Sequence, residues 1–296
     1  MQLRFIEYFV ALAREQHFGR AAAACHVTQP TLSSGITALE DMLGGRKLIE
    51  RDRRFVGLTD EGRAMLPWAQ QLLADMAEMR RSLEPDEGPL HGELRIGVIP
   101  AALPRIGPLV DAVARAHPGI TFALTALTSR QIEAGLRAHE LDAGITYLHS
   151  EPLTGVRAVS LYRERFVFAA RAEVAGNRPT IAWPEAAALP LCLLPTSMQN
   201  RRLLDAHLRS LGLEVRPRAT ADSYPALIAM AASTELSTIV PDSYAALVRP
   251  DGPVRVVEFA PPAPANEIGV VALDRPVLSP LPQALLAAAV EVGGQI

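Results

Sequence analysis

The segment that most constrains this chain lies between residues 17 and 44 and reads HFGRAAAACHVTQPTLSSGITALEDMLG. Its pattern predicts a short helix from Phe18 to about Cys25, a tight turn at His26-Val27-Thr28, and a longer second helix. Thr28 is a favourable N-cap, and Pro30 lies in the first turn, where its missing N–H costs nothing. The second helix has an apolar face at helical spacing, formed by Leu32, Ile36, Leu39 and Leu43. This layout is typical of a helix-turn-helix, whose second helix lies in the DNA major groove.

Polar side chains cluster at the start of the second helix, the part that meets base edges in a helix-turn-helix. We expect DNA contacts from six residues there: Thr28, Gln29, Pro30, Thr31, Ser33 and Ser34. The alternative is an ordinary helix pair in an all-helical core, because helix pairs are common and this helix is not basic. The segment that follows the second helix favours DNA binding.

That segment, residues 46 to 54, reads RKLIERDRR and is rich in cations. Leu48-Ile49 and Phe55-Val56 flank Asp52-Arg53-Arg54 as the two strands of a β-hairpin, or wing, would. Cations on such a loop suit phosphate contacts, which supply affinity without sequence information. The cations expected to contact DNA are Arg51, Arg53 and Arg54. The alternative is a solvated charged loop.

A long amphipathic helix is predicted from Thr59, which caps it, to about Leu83. Its apolar residues recur at spacings of three and four: Leu66, Ala69, Leu72, Leu73, Met76 and Met79. A helix with such a stripe needs a partner. Residues 84 to 89, EPDEGP, then break the helix and form a linker. Such a stripe most often belongs to the core of a domain. Because this one lies between two apparent domains, it predicts a helix that pairs two chains.

Ordered matches at unchanged spacing give this region a resemblance to a known family. They are Leu3-Arg4-Phe5-Ile6-Glu7-Tyr8-Phe9, Phe18-Gly19-Arg20-Ala21-Ala22, Thr28-Gln29-Pro30-Thr31-Leu32-Ser33, Ile36-Thr37-Ala38-Leu39-Glu40, Leu43-Gly44, Leu48-Ile49-Glu50-Arg51 and Leu58-Thr59-Asp60-Glu61-Gly62. With these matches the first ~62 residues resemble the winged helix-turn-helix domain of LysR-type transcriptional regulators. The resemblance continues more weakly through the rest of the chain. It implies promoter DNA as a partner, a second domain with two lobes like a periplasmic binding protein, and tetramers.

Three residues of the second helix depart from the family pattern. The family usually has basic or amide residues where this chain has Ser34 and Gly35, and a basic residue at Thr37. The missing positive charges would remove phosphate contacts and weaken the affinity for DNA. A glycine inside a helix also costs about 1 kcal/mol relative to alanine.

After the linker, the pattern alternates between strands and helices. Strands are predicted at 93–99, 121–127, 142–146, 165–170, 191–194, 237–240 and 267–273, and helices at 103–116, 132–139, 198–211, 224–232 and 281–292. Alternation of this kind predicts an α/β domain with parallel sheets covered by helices on both faces. The predicted fold class is therefore α/β, with an N-terminal winged helix-turn-helix, a long linker helix and a two-lobed effector domain.

The expected domains follow the same boundaries. They are a DNA-binding domain at 1–58, a dimerisation helix at 59–84, a hinge at 85–91 and an effector-binding domain at 92–296. The resemblance implies a first lobe of about 92–160 plus 268–296 and a second lobe of about 161–267. The late strand at 267–273 fits a chain that returns to its first lobe.

Ligands of α/β folds bind beyond the carboxyl ends of strands, where helix N-termini point. Hydroxyls and free N–H groups at helix starts are ready anion sites, so we expect a small anionic effector in the cleft between the lobes. The expected contacts are Pro100, Ala101, Thr128, Ser129, Thr146, Tyr147, Thr196, Ser197, Met198, Gln199 and Asp222. The alternative is that these threonines and serines only cap helices. The family often has serine or threonine after the first strand, whereas this chain has Pro100-Ala101-Ala102, so the identity of the effector does not transfer.

Charge, cysteine and histidine content, and the absence of long apolar segments limit the kinds of site and the location expected for this protein. The chain has a net charge of −3 and only two cysteines, Cys25 and Cys192, expected to be buried structural thiols. Some family members sense oxidants through two cysteines of the second domain, and this chain has one there. The seven histidines show no ligand spacing, so we expect no metal and no cofactor. No segment approaches the ~20 apolar residues of a membrane span, and the start lacks a signal-peptide pattern because Glu7 interrupts its apolar stretch. These features predict a cytoplasmic protein.

The sequence thus favours a sequence-specific transcriptional regulator controlled by a small effector. A solute-binding protein without DNA binding would fit residues 92–296 but leaves residues 1–62 unexplained. An enzyme lacks support, because no nucleophile elbow, Walker motif, dinucleotide fingerprint or spaced acid–base pair occurs. The sequence leaves open the effector, the promoter, the sign of regulation, and whether the assembly is a dimer or a tetramer.

Overall fold

The computed structural model describes residues 2–52, 54–81, 90–249, 251–275 and 278–294. The chain divides near residues 88 and 89 into two compact units, which are described in turn. The linker predicted at 84–89 lies outside the described residues. None of the described helices has the length and apolar character that a membrane span requires.

The N-terminal unit is a small helical domain with a β-hairpin. Its elements are α1 (Leu3–Glu15), α2 (Phe18–Ala24), α3 (Gln29–Met42), β1 (Ile49–Asp52), β2 (Arg54–Leu58) and α4 (Asp60–Arg81). Phe9 and Leu12 of α1 meet Leu32, Ile36 and Leu39 of α3 in a shared core. The predicted apolar face of the second helix is therefore buried, which confirms the helix-turn-helix pattern.

Side-chain caps determine where the short helices begin. The imidazole Nδ1 of His17 accepts from the N–H groups of Gly19 and Arg20 at 3.1 and 3.3 Å. The Thr28 hydroxyl accepts from the Thr31 N–H at 3.4 Å, as the sequence predicted. The Thr59 hydroxyl accepts from Gly62 at 2.9 Å and donates to the Lys47 carbonyl at 2.6 Å. Each cap satisfies N–H groups that have no partner inside the helix.

Gly35 has a packing role that the sequence did not indicate. It is buried where α3 crosses α1, and a Cβ at this position would lie 2.5 Å from the ring of Tyr8 and 3.0 Å from that of Phe5. The absence of a basic residue there follows from this close crossing. Our interpretation of Gly35 as a lost phosphate contact is therefore wrong, because the position faces the core.

The long helix α4 uses its apolar residues on two faces. Ala69 is buried, and Leu66 and Leu73 pack with it against the core of the N-terminal unit. Trp68, Leu72 and Met79 are instead exposed, Trp68 by 76%. The single stripe predicted from the sequence is therefore divided between the core and a second, exposed surface.

The C-terminal unit contains two sheets with helices packed on them. Its elements are β3 (His91–Val98), a 3-10 helix (Pro100–Arg105), α5 (Gly107–Ala116), β4 (Gly119–Ala126), α6 (Ser129–Arg137), β5 (Ala143–Tyr147), β6 (Val156–Glu164), β7 (Phe166–Arg171), α7 (Ala172–Ala175), β8 (Thr180–Ile181), α8 (Trp183–Ala188), β9 (Leu191–Leu193), α9 (Gln199–Ser210), β10 (Ala219–Thr220), α10 (Tyr224–Ser233), β11 (Ser237–Pro241), a second 3-10 helix (Asp242–Leu247), β12 (Val254–Phe259), β13 (Asn266–Leu273) and α11 (Pro280–Val292).

Both sheets are mixed, so the prediction of parallel sheets is correct only for part of the strand pairs. Among the described residues the first sheet has the order β4-β3-β5-β13-β6, and the second has the order β10-β9-β11-β7-β12-β8. β13 runs antiparallel to β5 and β6, and β7 runs antiparallel to β11 and β12. The chain passes from one sheet to the other twice, from β6 to β7 and from β12 to β13. These four strands take part in the antiparallel pairs. β6 and β12 were not predicted, because their exposed positions dilute the apolar pattern.

Candidate functional site

The first candidate site is the exposed start of α3. Gln29, Pro30 and Thr31 are exposed, as are Thr28 and Ser34, while Ser33 is half-buried. The Thr28 hydroxyl is engaged at the cap and lies 2.8 Å from that of Thr31, and the Ser34 hydroxyl donates to the Thr31 carbonyl at 3.0 Å. Among the six residues expected at DNA, Gln29 has the longest polar side chain and the greatest reach.

The wing is formed by β1 and β2, paired antiparallel from Ile49–Leu58 to Asp52–Arg54. Arg51 and Arg54 lie on these strands, where the backbone is described but the side chains are not. Arg53, at the tip, lies outside the described residues. The hairpin itself agrees with the predicted wing.

Lys47, one of the cations of this segment, is held by the protein itself. Glu40 is fully buried, and its carboxylate accepts from the Leu48 N–H at 3.0 Å and from Lys47 Nζ at 2.9 Å. The end of α3 is thereby tied to the start of the wing. The buried carboxylate is paired with a cation and a backbone donor, as its burial requires.

The second candidate site is a cleft between the two sheets of the C-terminal unit. Strands β3 and β5 end there, and α6, α9 and α10 begin there. A cavity of about 10 Å³, large enough for a single water, lies between them. It is lined by Ile99, Pro100, Ala101, Thr128, Ser129, Tyr147, Leu194, Met198, Gln199, Asn200 and Tyr224.

Seven of the eleven effector residues expected from the sequence line this cavity: Pro100, Ala101, Thr128, Ser129, Tyr147, Met198 and Gln199. Thr146 is fully buried within β5, and Asp222 is exposed. Thr196 and Ser197 are exposed, and their carbonyls accept from Arg202 at 3.1 and 2.7 Å. These four residues do not line the cavity, because a strand or a turn directs them elsewhere.

The effector contacts expected from the sequence did not include Ile99, Leu194, Asn200 or Tyr224, which also line the wall. Nor did they include Glu164, which lies directly behind the wall. Tyr224 opens α10 and had the signal of a residue at a helix start beyond a strand. Glu164 had none, since a glutamate at a strand end is ordinarily exposed.

Gln199 connects the two sides of the cleft. Its side-chain carbonyl accepts from the Ser129 hydroxyl at the start of α6. Its Nε2 atom is buried without a hydrogen-bond partner among the described residues, and the same holds for the Tyr224 hydroxyl. Buried polar groups are ordinarily bonded, so these two donors, which belong to residues that line the cavity, have unused hydrogen-bonding capacity.

A buried hydrogen-bond network lies behind the cavity wall and is centred on Glu164. Tyr147 donates to Glu164 Oε1 at 2.8 Å. Asn200 donates to the Tyr147 hydroxyl at 2.7 Å and to Glu164 Oε1 at 3.1 Å. Tyr147 belongs to the first sheet and Asn200 to a helix on the second, so the carboxyl group connects both lobes.

Burial raises the pKa of Glu164 to about 8, because a charged carboxylate loses its hydration there. The bonds from Tyr147 and Asn200 lower this pKa, and the charge of Asp242 raises it. Burial also raises the pKa of Tyr147 and Tyr224 well above the ordinary value, and the Glu164 charge adds to this. A carboxyl group with a pKa displaced this far marks a functional candidate.

Further contacts join the two lobes around the cleft. The Arg202 guanidinium binds both carboxylate oxygens of Glu151 at 2.7 Å. The Tyr244 hydroxyl donates to the Pro100 carbonyl at 2.8 Å, and Ser243 donates to the Ala101 carbonyl at 3.0 Å.

Cys192 is fully buried, and burial raises the pKa of its thiol. Its Sγ lies 3.5 and 3.6 Å from the carbonyls of Ser237 and Leu227. A thiol in such surroundings is a structural residue with little thiolate character. Within the described part of the chain, no group of three histidines, cysteines or acidic residues could hold a metal ion.

Two family descriptions match this chain almost end to end. Residues 3–63 match the bacterial regulatory helix-turn-helix protein, lysR family. Residues 87–294 match the LysR substrate binding domain. The chain therefore belongs to the LysR family of DNA-binding transcriptional regulators, which carry an effector-binding domain.

Relatives among characterised proteins agree. The chain is 32% identical to a probable hydrogen peroxide-inducible genes activator of Mycobacterium avium over 268 residues, which cover 89% of this chain and 85% of that one. It is 34% identical over 267 residues to the HTH-type transcriptional regulator TfdS of Cupriavidus pinatubonensis, which covers 88% of both chains. These relatives are transcriptional regulators.

Solved structures share the fold over the whole length. A full-length OxyR variant from Pseudomonas aeruginosa is 27% identical, with a TM-score of 0.80 over 99% of this chain and 96% of that one. CbnR in complex with its target DNA is 24% identical, with a TM-score of 0.72 over 99% and 100%. The second likeness shows the fold alone.

Proposed function

We propose that this regulator binds a specific promoter sequence through the start of α3 and the wing, and responds to a small anionic effector in the cleft of its C-terminal unit. The exposed polar surface of Gln29, Thr31 and Ser34 supports base contacts, and Thr28, Pro30 and Ser33 complete it. Arg51, Arg53 and Arg54 would contact phosphates, which position the protein without reading sequence.

The observation that carries the effector proposal is the wall of the cleft. Gln199 and Tyr224 line a cavity at the start of α9, and Gln199 Nε2 and the Tyr224 hydroxyl are buried without partners among the described residues. Helix N-termini and N–H donors favour anions. The effector contacts proposed are Pro100, Ala101, Thr128, Ser129, Tyr147, Met198 and Gln199. Because the cavity holds only about 10 Å³, the lobes must part before an effector enters.

Effector binding would act through lobe movement. A ligand shifts an equilibrium only through its different affinity for the two states. The bonds of Arg202 to Glu151 and of Tyr244 to Pro100 would break when the lobes part. We propose that this change is passed to the arrangement of subunits on DNA.

We also propose a dimer paired through α4, with a homotetramer as the full assembly. The exposed face of α4, which bears Trp68, Leu72 and Met79, supports the pairing.

The proposed domains are 1–58 for DNA binding, 59–84 for dimerisation, 85–91 as hinge and 92–296 for the effector. We place the action of the protein in the cytoplasm, with no enzymatic activity and no cofactor.

Several relatives are named as hydrogen peroxide-inducible genes activators. We propose that this chain does not share a switch based on two cysteines within its C-terminal unit. The whole sequence has two cysteines, and only Cys192 falls in that unit. Its burial and raised pKa argue against a reactive thiol.

Fluorescence anisotropy with DNA from immediately upstream of the gene that encodes this protein tests the function. Random DNA of equal length is the control, and both are titrated across a salt series. We expect much tighter binding to the upstream DNA, with a steep fall as salt rises. Equal and weak binding to both DNAs would count against a specific site there.

A further inference from the structure

The wall of the cleft offers hydrogen-bond donors but no cation. Gln199 Nε2 and the Tyr224 hydroxyl are buried without partners among the described residues. The helix α9 starts beside them without a side-chain cap, so its first N–H groups also point outward. No lysine, arginine or histidine lines the cavity in the described part of the chain. This wall suits a ligand with oxygen acceptors and a single negative charge.

A carboxyl group lies one hydrogen bond behind this wall. Tyr147 and Asn200, which line the cavity, both donate to Glu164 Oε1 at 2.8 and 3.1 Å. The group is fully buried. An anionic ligand and an ionised Glu164 would therefore repel each other in surroundings of low dielectric constant.

The groups around Glu164 do not neutralise its charge. The Arg105 guanidinium lies 3.5 Å from Asp242 and 4.9 Å above the ring of Tyr162, so its charge is shared with a second carboxylate. The titratable groups that face Glu164 come from five elements and are Tyr147, Tyr162, Tyr224, Asp242, Tyr244 and Arg105. Each tyrosine is uncharged at neutral pH, since burial raises the pKa of all four.

The geometry leaves a place for a proton. Glu164 Oε1 accepts both hydrogen bonds, whereas Oε2 has no partner among the described residues. A proton on Oε2 would remove the charge and leave the bonds from Tyr147 and Asn200 intact.

We propose that the cleft accepts a short monocarboxylate together with one proton, which resides on Glu164. This inference rests on the proposed anionic effector and deepens it, since it names the charge state of the site. Ligands with two negative charges would be disfavoured, because the wall has no cation for the second charge. Glu164 acts as a positioning and charge-setting residue, because it reaches the ligand only through Tyr147 and Asn200.

Calorimetry of the full-length protein with acetate, propanoate and pyruvate from pH 6.5 to 9.5 tests the proposal. These acids are ionised throughout that range, so a pH dependence of binding belongs to the protein. We expect a constant affinity at the acid end and a fall that approaches ~10-fold per pH unit at the alkaline end. Titrations in buffers of different ionisation enthalpy should show uptake of ~1 proton per ligand near pH 9.

Three variants separate the role of Glu164 from a general effect on folding. Glu164→Gln keeps the acceptor for Tyr147 and Asn200, and should bind with no proton uptake and a flat pH profile. Asp242→Asn removes a neighbouring negative charge, so the fall should begin at lower pH. Glu151→Gln is the matched control: it removes the charge and one of the two acceptor oxygens that bind Arg202 across the cleft, but should retain the pH profile of the wild type.

The outcomes distinguish this inference from the proposed function. Binding of a monocarboxylate without proton uptake, or a slope that persists in Glu164→Gln, overturns the proton and leaves the anionic effector standing. Tighter binding of neutral acetamide than of acetate at pH 6.5 overturns the anionic class and the proton together. If no carboxylate binds at pH 6.5, the anionic effector and the proton are both overturned. Specific binding to DNA, which is the other part of the proposed function, would be unaffected.

Discussion

At the residue scale, Glu164 is a group whose ionisation near neutral pH differs between the unfolded and the folded chain. Its pKa rises from an ordinary value of 4.5 to about 8 because the carboxyl group is buried. Between these two values the folded protein holds a proton that the unfolded chain has released. The free energy of unfolding must therefore decrease as the pH rises through this window.

The Glu164→Gln variant has no carboxyl group at this position, so the difference in bound protons between its folded and unfolded chains lacks the contribution of Glu164. We expect the stability of the wild type, relative to Glu164→Gln, to fall between about pH 5 and 8 with a slope approaching ~1.4 kcal/mol per pH unit. Urea unfolding at five pH values, in the absence of ligand, measures this difference. Parallel stability curves for the two proteins would show that Glu164 is not protonated in the folded state.

Gly35 is a second residue whose effect can be measured. A methyl group at this position would contact the Tyr8 ring at 2.5 Å, so Gly35→Ala must separate α1 from α3. We expect a loss of about 1–3 kcal/mol in unfolding free energy, seen as a lower Tm of the N-terminal unit. Gly57→Ala is the control, since among the described side chains its Cβ would meet only Glu50, at 4.0 Å. Equal Tm values for both variants would contradict the close crossing.

Cys192 gives a prediction about oxidation. Because its thiol is buried and its pKa is raised, hydrogen peroxide should leave it reduced. We expect peroxide to change the affinity for promoter DNA by less than about twofold, and mass spectrometry should find Cys192 unmodified. A sulfenic acid or disulfide at Cys192 that forms together with a change in DNA binding would refute this prediction.

At the scale of elements, α3 and the wing divide the work of DNA recognition. Replacement of Arg51, Arg53 and Arg54 by alanine should weaken binding to all DNA and lower the salt slope by up to about 2.7, because fewer counterions are released. Gln29→Ala should instead cost about 1–3 kcal/mol on the preferred sequence alone. Anisotropy across a salt series, with matched and random DNA, measures both. Arginine variants that alter sequence preference and keep the salt slope would reverse the assignment.

The residues that line the cleft could be predicted in part from the pattern of strands and helices. The ends of β3, β4, β5 and β9 and the residues before α10 were predicted to converge, and seven of the eleven residues chosen from these segments line one cavity. Thr196 and Ser197 could not be excluded from the sequence, because their role depends on Arg202, which lies six and five residues further on and donates to their carbonyls. Hydroxyl residues at a helix start look the same in sequence whether or not they face a ligand.

At the scale of the whole molecule, α4 supports a prediction about assembly. Trp68 is 76% exposed on a helix whose other face packs against the core. An aromatic side chain that pairs two chains ordinarily contributes strongly, so Trp68→Glu should raise the dissociation constant of the dimer by roughly 30-fold or more. Sedimentation velocity measures this. Leu247→Glu, at another exposed apolar residue with 62% exposure, should leave the assembly intact; an unchanged dimer in Trp68→Glu would exclude this face of α4.

Patterns within short segments of the sequence were sufficient to identify the class of protein. Caps at Thr28 and Thr59, the apolar face of α3 and the alternation after residue 90 are properties of short segments, and short segments determine helices and strands through periodicity and capping. The same segments carry the family resemblance. The sequence alone therefore determined the helix-turn-helix, the long helix, the α/β class and membership of the LysR family.

Tertiary structure decided what depends on contacts between distant residues. Glu164 meets Tyr147 and Asn200 from 17 and 36 positions away, and Gly35 meets Tyr8 across a helix crossing. The division of α4 into a packed and an exposed face, and the antiparallel pairing of β13, also arise only when the chain closes on itself. Burial changes the chemistry of a residue, and burial is a property of the folded whole, so no local pattern could assign a proton to Glu164.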